Sequence, residues 1–211
     1  VVIGAGATGV EVAADMAIYT KKLAENHGID YKLVNILLFE AGKQILSITP
    51  PEFADRVKKR LYSLGVKVMT DMRILKQEKD SVFVNDTKID TRTVIWTAGA
   101  KPSATYGNFG FEMNQRGKVL VNEFLEAKNH EGVFIAGDAA DTQYAGFAQT
   151  AIHNGKFIAK HIKDLVAGRD LAQYKPKRTQ IAIPVGEGWA AVLINGKLRM
   201  FGWLAFVVRR L

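Results

Sequence analysis

The chain is 211 residues long, 48% hydrophobic and 24% charged, with a formal net charge of +8 and no cysteine. This is the composition of a folded globular protein, and the missing thiols exclude disulfides, thiolate metal sites and any redox-active cysteine pair within these residues. No uninterrupted run of about 18 apolar residues occurs, so the segment is not expected to span a membrane.

The charge is unevenly placed. Residues 1–155 hold 18 Lys+Arg against 18 Asp+Glu, and residues 156–211 hold 11 against 3, so the whole basic excess is a C-terminal property. It reads either as a solvated basic surface or as attraction to an anionic membrane leaflet. The apolar, aromatic end Phe201-Gly202-Trp203-Leu204-Ala205-Phe206-Val207-Val208-Arg209-Arg210 favours the second. No module for recognising nucleic acid is visible, and none is expected as a partner.

In chain order, a short apolar strand, Val1–Ile3, runs into Gly4-Ala5-Gly6-Ala7-Thr8-Gly9. A helix follows from about Gly9 to Glu25, with Val10, Ala13, Ala14, Ala17 and Ile18 at helical spacing. Strand, glycine turn and helix together form a dinucleotide fingerprint. Gly4 serves the tight turn, Gly6 lets the backbone approach a pyrophosphate, and Gly9 lets helix and strand pack closely. The pyrophosphate is expected on the N–H groups and positive dipole end of the helix. Leu33–Phe39 reads as a second buried strand ending on Glu40, where a carboxylate can accept hydrogen bonds from adenosine ribose hydroxyls and disfavour a 2′-phosphate. That position favours NAD over NADP; a surface Glu at a strand end is the plainer alternative. Glu40 lies 31 residues after Gly9, so the connection through Lys21–Lys32 must be extended.

A helix around Pro51–Leu64, with Phe53, Val57, Leu61 and Leu64 on one face, stops at Gly65 before strand Val66–Met69. Residues 73–96 form short apolar runs with a turn at Asn85-Asp86, the pattern of a small antiparallel meander returning to a buried strand at Val94–Trp96. That strand ends in Thr97-Ala98-Gly99, small residues where open α/β sheets bind ligands. Further on, Gly132-Val133-Phe134-Ile135-Ala136-Gly137-Asp138 reads as a buried strand delivering Gly137 and Asp138 to its end. A helix at about 147–166 follows, with Ala148, Ala151, Ile152, Gly155, Ile158 and Ala159 expected on its inner face. Strands at Gln180–Val185, Ala190–Ile194 and Leu198–Phe201, with a hairpin turn at Asn195-Gly196, precede the basic tail.

The fingerprint Gly4–Gly9 continuing Val10-Glu11-Val12-Ala13, the strand ending at Glu40, Trp96-Thr97-Ala98-Gly99 and Val133–Asp138 together resemble the flavoprotein reductases with two dinucleotide-binding domains. Within that superfamily the chain looks like type II, non-proton-pumping NADH dehydrogenase, because of Thr8-Gly9-Val10-Glu11, the long gap before Glu40, Ala148-Gln149 and the basic tail. The resemblance implies an α/β fold in three parts. Residues 1–100 would be a Rossmann-like NADH domain with a parallel sheet and a small antiparallel meander. Residues 101–166 would be the C-terminal part of an FAD domain, and 167–211 a short β/amphipathic membrane-facing region. It also implies an oxidoreductase that passes a hydride from NADH to FAD and then reduces a quinone in a respiratory chain, peripherally attached to the cytoplasmic side of a membrane.

Residue by residue, the resemblance places Gly4, Gly6, Gly9, Glu40, Ala98 and Gly99 around NAD(H), and Gly137 and Asp138 against FAD. Glu11 would orient the nicotinamide or relay a proton, or else complement the helix dipole. Gln149 and His153 would line the quinone site on one helix face. The family carries a second Gln where this chain has His153, so quinone as acceptor stays open, with a structural His as the alternative. Only one fingerprint is present, so the chain reads as a segment lacking the first FAD fingerprint, inactive alone; the alternative is a complete non-flavin NAD module. The absence of Cys counts against a sulfide:quinone reductase. A soluble ferredoxin or rubredoxin reductase and a non-catalytic NAD sensor or scaffold remain rivals. Oligomeric state is open, a homodimer included, and no metal is implied.

Overall fold

The computed structural model describes residues 1–178 and 180–209. In chain order its elements are β1 (Val2–Ile3), α1 (Ala7–Asn26), β2 (Ile36–Phe39), α2 (Pro51–Ser63), β3 (Val66–Met69), β4 (Ile74–Glu78), β5 (Ser81–Val84), β6 (Thr87–Asp90) and β7 (Ile95–Trp96). Then come α3 (Thr105–Asn108), α4 (Ala148–Val166), β8 (Ile181–Pro184), β9 (Ala190–Ile194), β10 (Leu198–Gly202) and α5 (Trp203–Val208). The chain divides into two compact units, one holding residues 1–99 with the segment from Gln180 onward, the other beginning at Ala100.

The first unit is built on a parallel sheet in the order β3-β2-β1-β7. Because a strand's side chains alternate between faces, Val2, Ile36, Leu38, Val66 and Val68 point to one side. There they meet Val10, Ala13, Ala14 and Ala17 of α1 and Phe53, Val57 and Leu61 of α2. Ile3 and Phe39 point to the other side and meet Val82 and Val84 of the antiparallel meander β4-β5-β6. The buried positions of α1 are all Gly, Ala or Val, which lets the helix lie close to the sheet. The second strand is shorter than the sequence pattern predicts. Asp30 accepts a hydrogen bond from the Lys32 N–H (2.9 Å) and turns Tyr31–Leu33 into a 3₁₀ turn. Leu33 is consequently 75% exposed.

The C-terminal sheet β10-β9-β8 belongs to this first unit, whereas the sequence pattern set 167–211 apart as a region of its own. Ile183, Val185, Ala191 and Leu193 join the core of α1 and α2. Arg60 Nε donates to the Val185 carbonyl (3.2 Å), and Gly186 approaches Ile18 so closely that a Cβ would come within 2.6 Å of its Cδ1. The predicted hairpin turn is present: Asn195 and Gly196 both have positive φ (51° and 67°), and Lys197 N–H closes on Ile194 O at 3.1 Å. Arg210, the end of the expected basic tail, lies outside the described residues.

The second unit is loop-rich, with a small core of Val119, Ala127, Ile135 and Ala140 and the long helix α4. Two expectations fail here. The stretch 132–136 is not a strand: it makes one isolated bridge, Glu126 to Phe134, because no neighbouring strand among the described residues pairs along it. The inner face of α4 is also not the apolar one. Thr150, Asn154, His161 and Asp164 are buried, while of the six expected residues Ala148, Ile152, Gly155 and Ala159 are exposed and Ala151 and Ile158 are half-buried.

Candidate functional site: a cleft at the glycine turn

Four strands side by side bring their carboxyl ends to one edge, and there a cleft of about 450 Å³ opens. It is lined by Gly4 and Gly6 after β1, Glu40 and Ala41 after β2, Met72 and Arg73 between β3 and β4, and Thr97, Ala98 and Gly99 after β7. A crevice outside the carboxyl ends of parallel strands is where open α/β sheets bind ligands.

The three fingerprint glycines do different jobs. Gly4 has φ 95°, and a Cβ there would lie 2.6 Å from Ala98 Cα, so this glycine lets the turn and the β7 exit pass backbone against backbone. At Gly9 a Cβ would fall 1.8 Å from Gly4 O, so the helix can start under the turn only without a side chain. Gly6 is the N-cap of α1, has an ordinary φ of −68°, and a Cβ on it would meet nothing within 4 Å. Nothing in the protein demands glycine there. The space its side chain would fill belongs to the cleft, directly over the first N–H groups of α1, which no side chain caps. That is a cradle fitted to an anion brought close to the backbone.

Glu40 is held from two sides. Its Oε2 accepts the Ala5 N–H at 2.8 Å and its Oε1 the Gly42 N–H at 2.9 Å. The carboxylate therefore joins the glycine turn to the loop after β2, and each oxygen keeps lone-pair capacity for a further donor. Thr97 completes the frame: its N–H donates to Ile3 O (2.8 Å) and its hydroxyl lies 2.8 Å from both Ile3 O and Gly4 O. Sequence reasoning grouped Thr97 with the small residues at a strand end and missed this latch. It also missed Arg73, the one cation among the lining residues. No spacing rule marks either, because both act through loops that the fold brings together.

Gly4, Gly6, Glu40, Ala98 and Gly99 thus share one cleft, with Gly9 packed beneath it. Glu11 is not among the lining residues. It sits beyond the first turn of α1 and is half-buried. Burial pushes its carboxyl above the usual range, Arg209 pulls it back, and Asp15 adds to the rise.

The other candidates lie in the second unit. Gly137 has φ 68°, opens a 3₁₀ turn and gives its N–H to Asn154 Oδ1 at 3.0 Å in a fully buried bond. Asp138 is exposed on that turn, and its carboxylate meets no partner among the described residues. Gln149 and His153 follow one turn apart on α4, Gln149 exposed and His153 half-buried. The His153 ring packs 5.2 Å from Tyr174, and its Nε2 lies 3.0 Å from Lys175 O. Burial raises the Tyr174 phenol, with Asn154 beside it partly offsetting the rise.

A type II NADH:quinone oxidoreductase of Mycobacterium tuberculosis is 28% identical over 98% of this chain and 48% of its own length. The apoptosis-inducing factor homolog A of Dictyostelium discoideum is 25% identical over 99% of the chain and 56% of its own length. Among solved structures, NDH2 of Plasmodium falciparum in complex with NADH superposes with a TM-score of 0.85 at 14% identity, covering 99% of this chain and 60% of that one. The chain spans about half the length of the curated relatives it matches. The sequence pattern of the pyridine nucleotide-disulphide oxidoreductases matches residues 1–155. With its glycine turn, parallel sheet and carboxyl-edge cleft, the chain belongs to the pyridine nucleotide-disulphide oxidoreductase family.

Proposed function

We propose that these residues supply the NADH site and part of the flavin site of an FAD-dependent NADH:quinone oxidoreductase. The observation that carries the reading is the pairing of an open Gly6 at the head of α1 with a doubly anchored Glu40 in one cleft. FAD, when bound, would supply the redox chemistry between the hydride of NADH and a quinone. The chain's own residues bind and orient. The first N–H groups of α1 hold the pyrophosphate, and the open position at Gly6 lets it come close. Glu40 Oε1 and Oε2 accept from the adenosine ribose hydroxyls, and its charge repels a 2′-phosphate. Glu11, its carboxyl raised by burial, holds a proton more readily than an ordinary Glu and can pass it on.

In the second unit the exposed Asp138 carboxylate, presented by a glycine turn pinned to Asn154, is suited to accept hydrogen bonds from FAD. On α4 the two quinone candidates differ. In the tautomer that donates from Nε2 to Lys175 O, the neutral His153 ring offers only an acceptor at Nδ1. Gln149 is exposed on the same helix face, and its side-chain amide is a donor type suited to a quinone oxygen. No helix among the described residues is long and apolar enough to cross a membrane. Attachment to an anionic leaflet would rest on Trp203 and Leu204 of α5, 69% and 59% exposed.

The test is steady-state NADH and NADPH oxidation by the full-length protein with a quinone. NADH is expected to be strongly preferred, and Glu40→Arg to narrow that preference at least tenfold. Unchanged selectivity in the variant would remove Glu40 from the site. Flavin absorbance that NADH fails to bleach would favour a sensor or scaffold without turnover.

A further inference from the structure

Beside the groups that hold the pyrophosphate and the ribose, the cleft of the first unit carries one charge that the binding scheme leaves unused. Arg73 lines the cleft and is exposed, and among the described residues its guanidinium takes part in no hydrogen bond, ion pair or ring contact. The backbone beneath it, by contrast, is fixed. Arg73 N–H donates to Asn85 Oδ1 (3.1 Å), Asn85 N–H donates to Arg73 O (2.9 Å), and Asn85 Nδ2 donates to Asp71 O (3.2 Å). Asn85 makes these bonds from a left-handed turn, φ 49°, between β5 and β6. On the other side Met72 N–H donates to Glu40 O (2.9 Å) and Asp71 N–H to Gly42 O (3.0 Å). The loop that carries Arg73 is thus laced, backbone to backbone, to the loop that carries Glu40. Their opposite charges nevertheless do not pair, because Glu40 turns its oxygens to the Ala5 and Gly42 N–H groups.

The order of the strands says what such a cation meets. From β1 toward one edge the sheet runs β1, β2, β3. A dinucleotide with its pyrophosphate over the start of α1, after β1, and its adenosine ribose on Glu40, after β2, is already heading toward β3. The base joined to that ribose therefore comes to the loop after β3, where Arg73 stands. The opposite direction leads to β7 and to Thr97, Ala98 and Gly99, the side left for the other half of the molecule. We infer that Arg73 is the purine-binding residue of this cleft, its guanidinium lying flat on the adenine ring while the pinned loop closes the adenosine end. A planar, delocalised and weakly hydrated cation matches an aromatic face. Its neighbours in the lining, Met72 and Ile74, are apolar and suit the rest of the base. The inference rests on reading the cleft as an NADH site and names a further binding residue in it.

ADP-ribose tests this without turnover, since it carries the adenine, the ribose and the pyrophosphate but no hydride. Its dissociation constant is measured by calorimetry on the full-length protein and its variants, with melting temperatures recorded alongside. Arg73→Ala should weaken binding about tenfold, the worth of one stacked cation at a partly exposed site. Arg73→Tyr keeps a flat face without the charge, and should bind within about threefold of the unaltered protein. Arg73→Lys keeps the charge without the plane, and should bind as weakly as the alanine variant. Unchanged binding in Arg73→Ala overturns the inference, because the guanidinium then does not touch the nucleotide. Recovery in Arg73→Lys overturns it by assigning the charge to a phosphate. Loss in all three variants overturns it by making Arg73 a support of its own loop. The Gly6→Ala protein separates this inference from the reading beneath it. If the unaltered protein does not bind ADP-ribose, or if Gly6→Ala and Arg73→Ala both bind as it does, the NADH cleft falls and Arg73 with it. Weakening by Gly6→Ala alone removes Arg73 and leaves the cleft.

Discussion

Two glycine turns in this chain look alike as sequence and differ as structure. At Gly4–Gly9 the turn is fixed on every side: Gly4 N–H donates to Phe39 O (2.8 Å), Ala5 N–H to Glu40, and Ala5 O receives Leu46 N–H (2.9 Å). The strand before it pairs with β2 on one side and β7 on the other. At Gly137–Asp138 the turn has the same left-handed glycine, but among the described residues the segment leading into it makes one isolated bridge. Asn154 anchors it by a buried side-chain bond. The difference teaches that a glycine motif specifies a turn, whereas its precision comes from neighbouring strands. The first site has its neighbours within these 211 residues; the second leans on one helix.

The sharpest way to break the first turn is Gly9→Ala. The added methyl would stand 1.8 Å from Gly4 O, a backbone atom that cannot swing away, and the cost should be about 3 kcal/mol or more. Thermal unfolding should show the loss in the transition of the first unit, with the second unit spared. The matching change in the second turn is Asn154→Ala. It leaves the Gly137 N–H buried without an acceptor, for a loss of about 2 kcal/mol, and hydrogen exchange at Gly137 should accelerate to follow it. A turn at 137 that kept its protection would mean that other contacts fix it.

The smallest effect concerns Glu11. Burial raises its carboxyl above the ordinary 4.5, so folding favours the protonated form. That contribution is fully present below about pH 4.5 and is lost as pH rises through the higher folded value. Glu11→Gln cannot ionise. It should be the more stable protein at neutral pH, by under about 1 kcal/mol because the group is only half-buried, and the gap should close as pH falls toward 4.5. Denaturant titrations of both proteins at several pH values measure it.

The nucleotide fold was legible because its signals are local. Apolar runs, glycine spacing and the Asn195-Gly196 turn each depend on a few adjacent residues, and β3 and β9 begin and end where the pattern places them. Glu40 was legible as a strand-end acid, but its two backbone bonds were not, since they depend on how the loop to Gly42 folds back. The inner face of α4 was misread for a physical reason: periodicity tells which residues share a face, not which neighbour that face meets. Ile152 and Ala159 look like core until Thr150, Asn154 and His161 are seen to hold the opposite side inward. The Phe134 region was read as a strand on composition alone, and a strand needs partners that no stretch of its own residues can announce.

The central claim is that the first unit's cleft takes NADH over the bare backbone at Gly6. Titration of NADH into Gly6→Ala and the unaltered protein, with melting temperatures recorded in parallel, tests it most directly. Because a methyl at Gly6 meets nothing in the protein, stability should be unchanged, while NADH binding weakens about tenfold or more from the clash with the pyrophosphate. Equal NADH affinity in the two proteins would contradict the account.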